Sequence, residues 1–327
     1  MNFKKIYKPV GRKMILFTGL FFMIGLIFSE RPKKTQRLQP STIKADSAKV
    51  LEHLKALVQT PQFRNYKNTE QLNAIAEYIH RNFEQYSDST DFQEYKVDGR
   101  TYKNVICSFG TEHTKRIIVG AHYDVCGDQQ GADDNATGVT AILELARMLK
   151  DEKLNYRIDL VAYTLEEPPY FRTEKMGSYV HAKYLKDNKI DVYGMLSVEM
   201  IGYFSDEEHS QSFPVGFLSK VYGNKGDFIT LVKKFGAGKF VRHFSSNFKA
   251  SKAVKTETFA APKFVSGVDF SDHLNYWKFG YSAVMITDTS FFRNKNYHEP
   301  TDTLETLDLL RMTKVIDGIF LSLIHLK

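Results

Sequence analysis

The sequence predicts an α/β protein, a three-layer α/β/α sandwich around a central sheet that is mixed but mainly parallel. Three observations carry that expectation. Two short apolar runs, Ile117-Ile118-Val119 and Ile158-Asp159-Leu160-Val161-Ala162-Tyr163, have the near-continuous character of strands buried on both faces. Segments of helical periodicity separate these and further strand-like runs, and strands alternating with helices build layered α/β folds. The runs also end in acids and imidazoles, which matters because such sheets gather ligands at the carboxyl ends of their strands.

In chain order, residues 14–28 form an uncharged run of fifteen apolar or small residues, with five basic residues before it and four after. That length suits a signal-peptide core and falls just under the roughly 17–25 residues of a spanning helix. Ser29-Glu30-Arg31-Pro32 lacks a small-x-small cleavage pattern, and no cysteine follows to carry a lipid. The expected organisation is a basic segment over 1–13, an anchor or signal segment over 14–29, a linker over 30–44 and a folded body over 45–327. We expect the segment to remain uncleaved as a membrane anchor, with the body exported to face the periplasm or extracellular space. Cleavage and secretion is the alternative.

Within the body, Leu51, Leu54, Leu57 and Val58 mark a first helix. Leu72, Ile75, Ala76, Ile79 and Phe83 mark a second, with Asn68 or Thr69 as its cap. Val105, Cys107 and Phe109 alternate as a strand, and the run at 116–121 follows it. A helix is expected over 135–150, the next strand over 158–163, and a helix over about 178–185. Strands are expected over 193–198 and 281–286 with a helix over about 226–235 between them, and a last helix begins near Leu304.

Composition narrows the function classes. At 43% hydrophobic and 25% charged residues the 327-residue chain is globular, and two cysteines exclude a disulfide scaffold or a Cys-rich zinc module. The net charge of +7 suggests a nucleic-acid partner until it is located. Nine Lys/Arg against one Glu in residues 1–37 account for all of it, so the body is close to neutral and nucleic acid is excluded.

The strand ends carry the chemistry. The run at Ile117 ends in His122-Tyr123-Asp124, and Gly131-Ala132-Asp133-Asp134-Asn135 precedes the next helix. The run at Leu160 leads to Glu166-Glu167, that at Tyr193 ends in Glu199, and after 281–286 comes His298-Glu299-Pro300-Thr301-Asp302. Two imidazoles and several carboxylates on one sheet edge repel without a counterion. An oxygen and nitrogen donor set without thiolate suits Zn²⁺, with Mn²⁺ or Co²⁺ possible.

With these five pieces in order, residues 102–310 resemble the zinc aminopeptidases of metallopeptidase family twenty-eight. These leucyl-aminopeptidase-like enzymes are related to glutamate carboxypeptidases and glutaminyl cyclases. The resemblance implies a zinc exopeptidase-like fold, two Zn²⁺ per chain and a peptide substrate with a free N-terminus. It implies that His122, Asp134 and Glu199 hold one metal and that Asp134, Glu167 and His298 hold the other, with Asp134 bridging. Glu166 takes the general-base position, and Asp124 that of the carboxylate orienting the imidazole of His122. Ser271-Asp272-His273 matches a stretch lining the family's cleft, with no metal role for His273. The resemblance implies that a zinc pair would activate a water, with Glu166 accepting its proton and passing it to the departing amine.

Three features depart from the simplest members. Pro168-Pro169-Tyr170-Phe171-Arg172-Thr173-Glu174-Lys175-Met176 replaces a short Gly-rich link and is expected to shape substrate choice. Glu199 stands where many members carry Asp. Val268-Asp269-Phe270 lacks a tyrosine that assists some members, leaving Tyr203 or Tyr297 as candidates for that help. Met200, Phe291, Phe292 and Tyr297 are candidates for an apolar pocket. Cys126 is either a free thiol or paired with Cys107. Two rival readings are a single-zinc glutaminyl-peptide cyclotransferase and a non-catalytic ectodomain. All five metal positions and the base are present, which favours the two-metal hydrolase over both.

Overall fold

The computed structural model describes residues 38–262 and 265–327. The expected anchor or signal segment lies outside the described residues. Among the described residues no helix is long and apolar enough to cross a membrane.

The body begins with α1 (Ser47–Val58), capped by the Asp46 carboxylate, which accepts the N–H groups of Ala48 and Lys49. Its buried face runs through Val50, Leu54, Leu57 and Val58, so Val50 rather than Leu51 leads the stripe. Helix α2 (Thr69–Glu84) buries the five residues its periodicity indicates. Asn68 sits at the cap position, but its side chain donates to the Phe63 carbonyl instead of capping.

Next come β1 (Ser89–Val97) and β2 (Arg100–Phe109), an antiparallel hairpin closed by Asp98-Gly99, both at positive φ. Strand β3 (Arg116–His122) leads through an irregular turn at Ala132–Thr137 into α3 (Gly138–Leu149), and β4 (Arg157–Tyr163) into α4 (Gly177–Asp187). Strand β5 (Val192–Val198) is followed by a short α5 (Ser219–Tyr222), β6 (Ile229–Lys233), α6 (Lys239–Ser251) and β7 (Thr256–Ala260). The chain then forms α7 (His273–Lys278), β8 (Ala283–Thr287) and α8 (Leu309–Ile324).

The helix expected over 226–235 is a correction: the segment is the strand β6. A five-residue apolar run has no helical period to read, and here Ile229, Leu231 and Val232 bury both faces of a strand pairing with β7 and β8. The last helix starts later than expected, because Leu304–Thr306 is a single 3₁₀ turn and Asp308 caps α8 through the Arg311 N–H.

The eight strands form one sheet in the order β1-β2-β4-β3-β5-β8-β6-β7. Its centre, β4-β3-β5-β8, is parallel throughout, while β1, β2 and the β6–β8 junction are antiparallel. Period-two alternation divides the core. Ile117, Val119 and Ala121 join the helices α1, α2, α3, α6 and α8 on one face, while Ile118, Val161 and Met195 join α4 and α7 on the other. The expected sandwich is therefore present, with unequal outer layers. Four parallel strands delivering their carboxyl ends to one edge place His122, Glu166, Glu167 and Glu199 together before any side chain is considered.

Candidate metal centre

His122, Glu166, Glu167 and Glu199 sit at or just past the ends of β3, β4 and β5. His122 is the last residue of β3, and its neighbour Tyr123 still donates to the Tyr163 carbonyl at the end of β4. Beyond β4 the chain turns sharply at Leu165 (φ +61), and beyond β5 at Met200 (φ +50). A bulky residue in this left-handed region costs on the order of 1–3 kcal/mol, so packing enforces both turns. The Asp124 carboxylate accepts the N–H groups of Glu166 and Glu167, each at 3.1 Å, and so fixes both residues relative to β3. The same carboxylate lies 3.7 Å from His122 Nδ1.

The turn before α3 presents Asp134. Gly131 starts it at φ +58, and a Cβ there would meet the Asp134 carbonyl and Val125 at 2.3 Å, so only glycine fits. Asp302 accepts from the Asp133 and Asp134 N–H groups. Asn135 holds the turn to the end of β5, donating to the Val198 carbonyl while its Oδ1 accepts from Gly138 and Met200. Arg64, fully buried, donates to the carbonyls of Leu57, Tyr123, Gln130 and Gly131, stitching the 123–131 loop to α1. The roles of Asp302 and Arg64, and the tie from Asn135 to β5, escape sequence reasoning, whereas the Asn135 bond to the Gly138 N–H is the helix-start cap its place before the helix suggests. Asp302 and Asn135 stood inside quoted motifs, whereas Arg64 gives no local signal.

These supports bring four donor residues together around Asp134. Its Oδ1 lies 3.4 Å from His122 Nε2, and that nitrogen lies 3.4 Å from Glu199 Oε2. Its Oδ2 lies 3.2 Å from His298 Nε2, which is also 3.2 Å from Glu167 Oε2. One carboxylate therefore faces two imidazoles, each accompanied by a further carboxylate. A tetrahedral zinc ion with bonds of about 2.0–2.1 Å sets its donor atoms about 3.3–3.4 Å apart, so the spacings fit. Asp134 Oδ2, Glu167 Oε1 and His298 Nε2 are buried without a hydrogen-bond partner among the described residues. Facing at 3.2 Å without hydrogen-bond alignment suits atoms converging on a cation.

The electrostatics agree. Burial opposes ionisation of Asp134, yet His122 and His298 hold its carboxyl below the usual range. Burial pushes Glu167 up to about 7, and Glu166 is raised well above its ordinary value by burial and by the neighbouring Glu167 and Glu199. Glu166 Oε2 lies 4.0 Å from His122 Nε2, close to the cluster but beyond hydrogen-bond distance of that nitrogen.

Ser271 donates to Glu199 at 2.7 Å and pairs with Ser197. His273 donates from Nε2 to the Val268 carbonyl at 2.8 Å and packs edge-on against Trp277, a core position away from the donors. Tyr297 stacks on His298, centroids 3.8 Å apart, whereas Tyr203 is tied through its backbone to Asp288 and Arg293. Phe291 touches Tyr297, and Phe270 touches both Phe291 and Phe171, so an aromatic strip leads outward from His298. Met200 is buried in the core. In the expected insertion, Arg172 pairs with Asp269 and lies over Phe171 and Phe270, closing the strip's outer end. Cys107 and Cys126 are both free thiols.

Residues 104–322 match Peptidase family M28. The chain belongs to this family. This M28 chain is 39% identical over 327 residues to YfbL of Escherichia coli (strain K12), covering 96% of this chain and 100% of that protein. It is 26% identical over 223 residues to leucine aminopeptidase 1 of Ajellomyces dermatitidis, covering 64% of this chain and 52% of that one. The fold is similar to LapB from Legionella pneumophila, with a TM-score of 0.68 at 18% identity, covering 97% of this chain and 82% of that chain. It is also similar to Bacteroides thetaiotaomicron glutaminyl cyclase bound to N-acetylhistamine, with a TM-score of 0.64 at 18% identity, covering 88% and 100%. The M28 chain thus has the α/β fold common to aminopeptidases and glutaminyl cyclases.

Proposed function

We propose that this chain is an aminopeptidase that removes N-terminal residues from peptides with two zinc ions. The observation that carries this reading is Asp134, whose two oxygens face two different imidazoles at 3.4 and 3.2 Å. His122, Asp134 and Glu199 would hold one ion, and Asp134, Glu167 and His298 the other. When bound, such a pair polarises a peptide carbonyl and makes a water acidic enough to attack near neutral pH.

The chain's own residues supply the rest. Asp124 fixes Glu166 beside the cluster through the backbone, and burial raises its affinity for a proton. Glu166 accepts the proton of the attacking water at its carboxylate and delivers it to the departing amine. The buried carboxylates attract the substrate's α-ammonium group, which favours cleavage at the first residue. The strip from Tyr297 through Phe291 to Phe270 offers an apolar surface to that residue's side chain. A single-zinc cyclase reading leaves one of the two imidazole–carboxylate sets without a task.

The test is a panel of aminoacyl amides and N-terminal Gln peptides, assayed before and after chelation and zinc restoration. Zinc-dependent release of apolar first residues supports the proposal. Pyroglutamate formation at one zinc per chain, or no turnover of either class, overturns it.

A further inference from the structure

The two halves of the cluster differ in one donor. Cys126 lies in the loop after β3, partly buried. Its Sγ, a Glu167 carboxylate oxygen and a His298 ring nitrogen lie within 4.8 Å of one another. Glu167 itself is 4% exposed, and its Oε1 has no hydrogen-bond partner among the described residues. A buried, unpaired carboxylate oxygen is costly unless a donor or a cation completes it. In the His122 half, His122, Asp134 and Glu199 form a wholly buried nitrogen and oxygen set.

We propose that Cys126 is a sulfur ligand to the cation held at the His298 half of the cluster. The proposal rests on the two-cation reading and assigns the halves different tasks. On coordination the Cys126 thiol gives its proton to solvent and its sulfur electron pair binds the cation, with no change of oxidation state. Asp134, Glu167, His298 and Cys126 then form a four-donor protein set, the closed arrangement of structural zinc sites. The His122 half keeps three protein donors and faces Glu166, so substrate and water belong there. A thiolate also biases the His298 half toward softer ions such as Zn²⁺, Co²⁺ or Cd²⁺ over Mg²⁺ and Mn²⁺. Cys107, fully buried in β2, is no competitor for reagents.

The experiment loads the metal-free full chain with Co²⁺ and records its near-ultraviolet absorption. A sulfur-to-cobalt charge-transfer band that saturates at one Co²⁺ per chain, and is lost in Cys126→Ser while cobalt still binds, supports the assignment. In the unmodified sequence, iodoacetamide labels Cys126 in the metal-free protein, and bound Zn²⁺ slows the labelling by about tenfold or more. This arm requires no variant to fold. Uptake of two Co²⁺ without the band, persistence of the band in Cys126→Ser, or labelling indifferent to Zn²⁺ overturns the sulfur assignment alone. Failure to take up any Co²⁺ overturns both this assignment and the two-cation reading.

Discussion

The inner and outer halves of the cluster are held by different kinds of structure. His122 and Glu199 end neighbouring parallel strands, lie 1% and 6% exposed, and are braced by Ser271 and Asn135. Glu167 and His298 come from loops, and His298 is 24% exposed with Tyr297 stacked on its ring. A sheet register positions an imidazole with the whole hydrogen-bonded ladder, whereas a loop positions it through a few side-chain contacts. The inner half should therefore be integral to stability, and the outer half more readily exchangeable.

The largest expected effect tests which half performs the chemistry. Glu166→Gln should lower kcat by about 10²–10⁴-fold while leaving metal content unchanged, measured by steady-state assay beside elemental analysis. Wild-type turnover in that variant contradicts the assignment. Next, His122→Ala leaves Asp134, Glu199 and Glu166 buried without their imidazole partner, a loss of about 3–5 kcal/mol by analogy with broken buried pairs. His298→Ala should stay folded and retain the inner cation. Thermal unfolding with metal analysis checks both, and the opposite order of stability breaks the comparison. A smaller effect is expected for Ser271→Ala, which removes the donor holding Glu199. Zinc affinity should fall by about 10–100-fold in calorimetric titration, with binding at the outer half unaffected.

The smallest effect lies on the opposite face of the sheet, away from the cluster. Burial lowers His181 to about 4, and its Nδ1 sits 2.6 Å from the Tyr276 hydroxyl. Its neutral form stabilises the fold above the unfolded pKa near 6.5, and this contribution is lost as pH falls from 6.5 toward 4. Stability from this group alone should be about 2 kcal/mol lower at pH 5 than at pH 7. Urea titrations of wild type and His181→Gln should show that part of the acid dependence vanish in the variant, and parallel curves would refute it.

How far the sequence could be read follows the same division. The inner half was legible because apolar strands announce themselves and their next residues fall on one edge. The outer half was reached through the family motif at His298, since nothing local shows that a loop after β8 folds back onto Glu167. The helix expected over 226–235 failed because a short buried run carries no period. The β1–β2 hairpin had a readable sign, Asp98-Gly99 between alternating residues, that the strand-by-strand reading passed over. Arg64 was invisible, since three of its four carbonyl partners come from the distant 123–131 loop, whose arrangement exists only once folded. Cys126 was weighed as a disulfide partner, and its neighbours Glu167 and His298 come from the same long-range folding.

The most direct measurement is a zinc titration of the metal-free protein beside Asp134→Ala. If one carboxylate joins both halves, the wild-type chain binds two zinc ions and the variant loses tight binding at both positions. A single zinc in the wild type, or two tightly held in Asp134→Ala, would contradict a shared bridge.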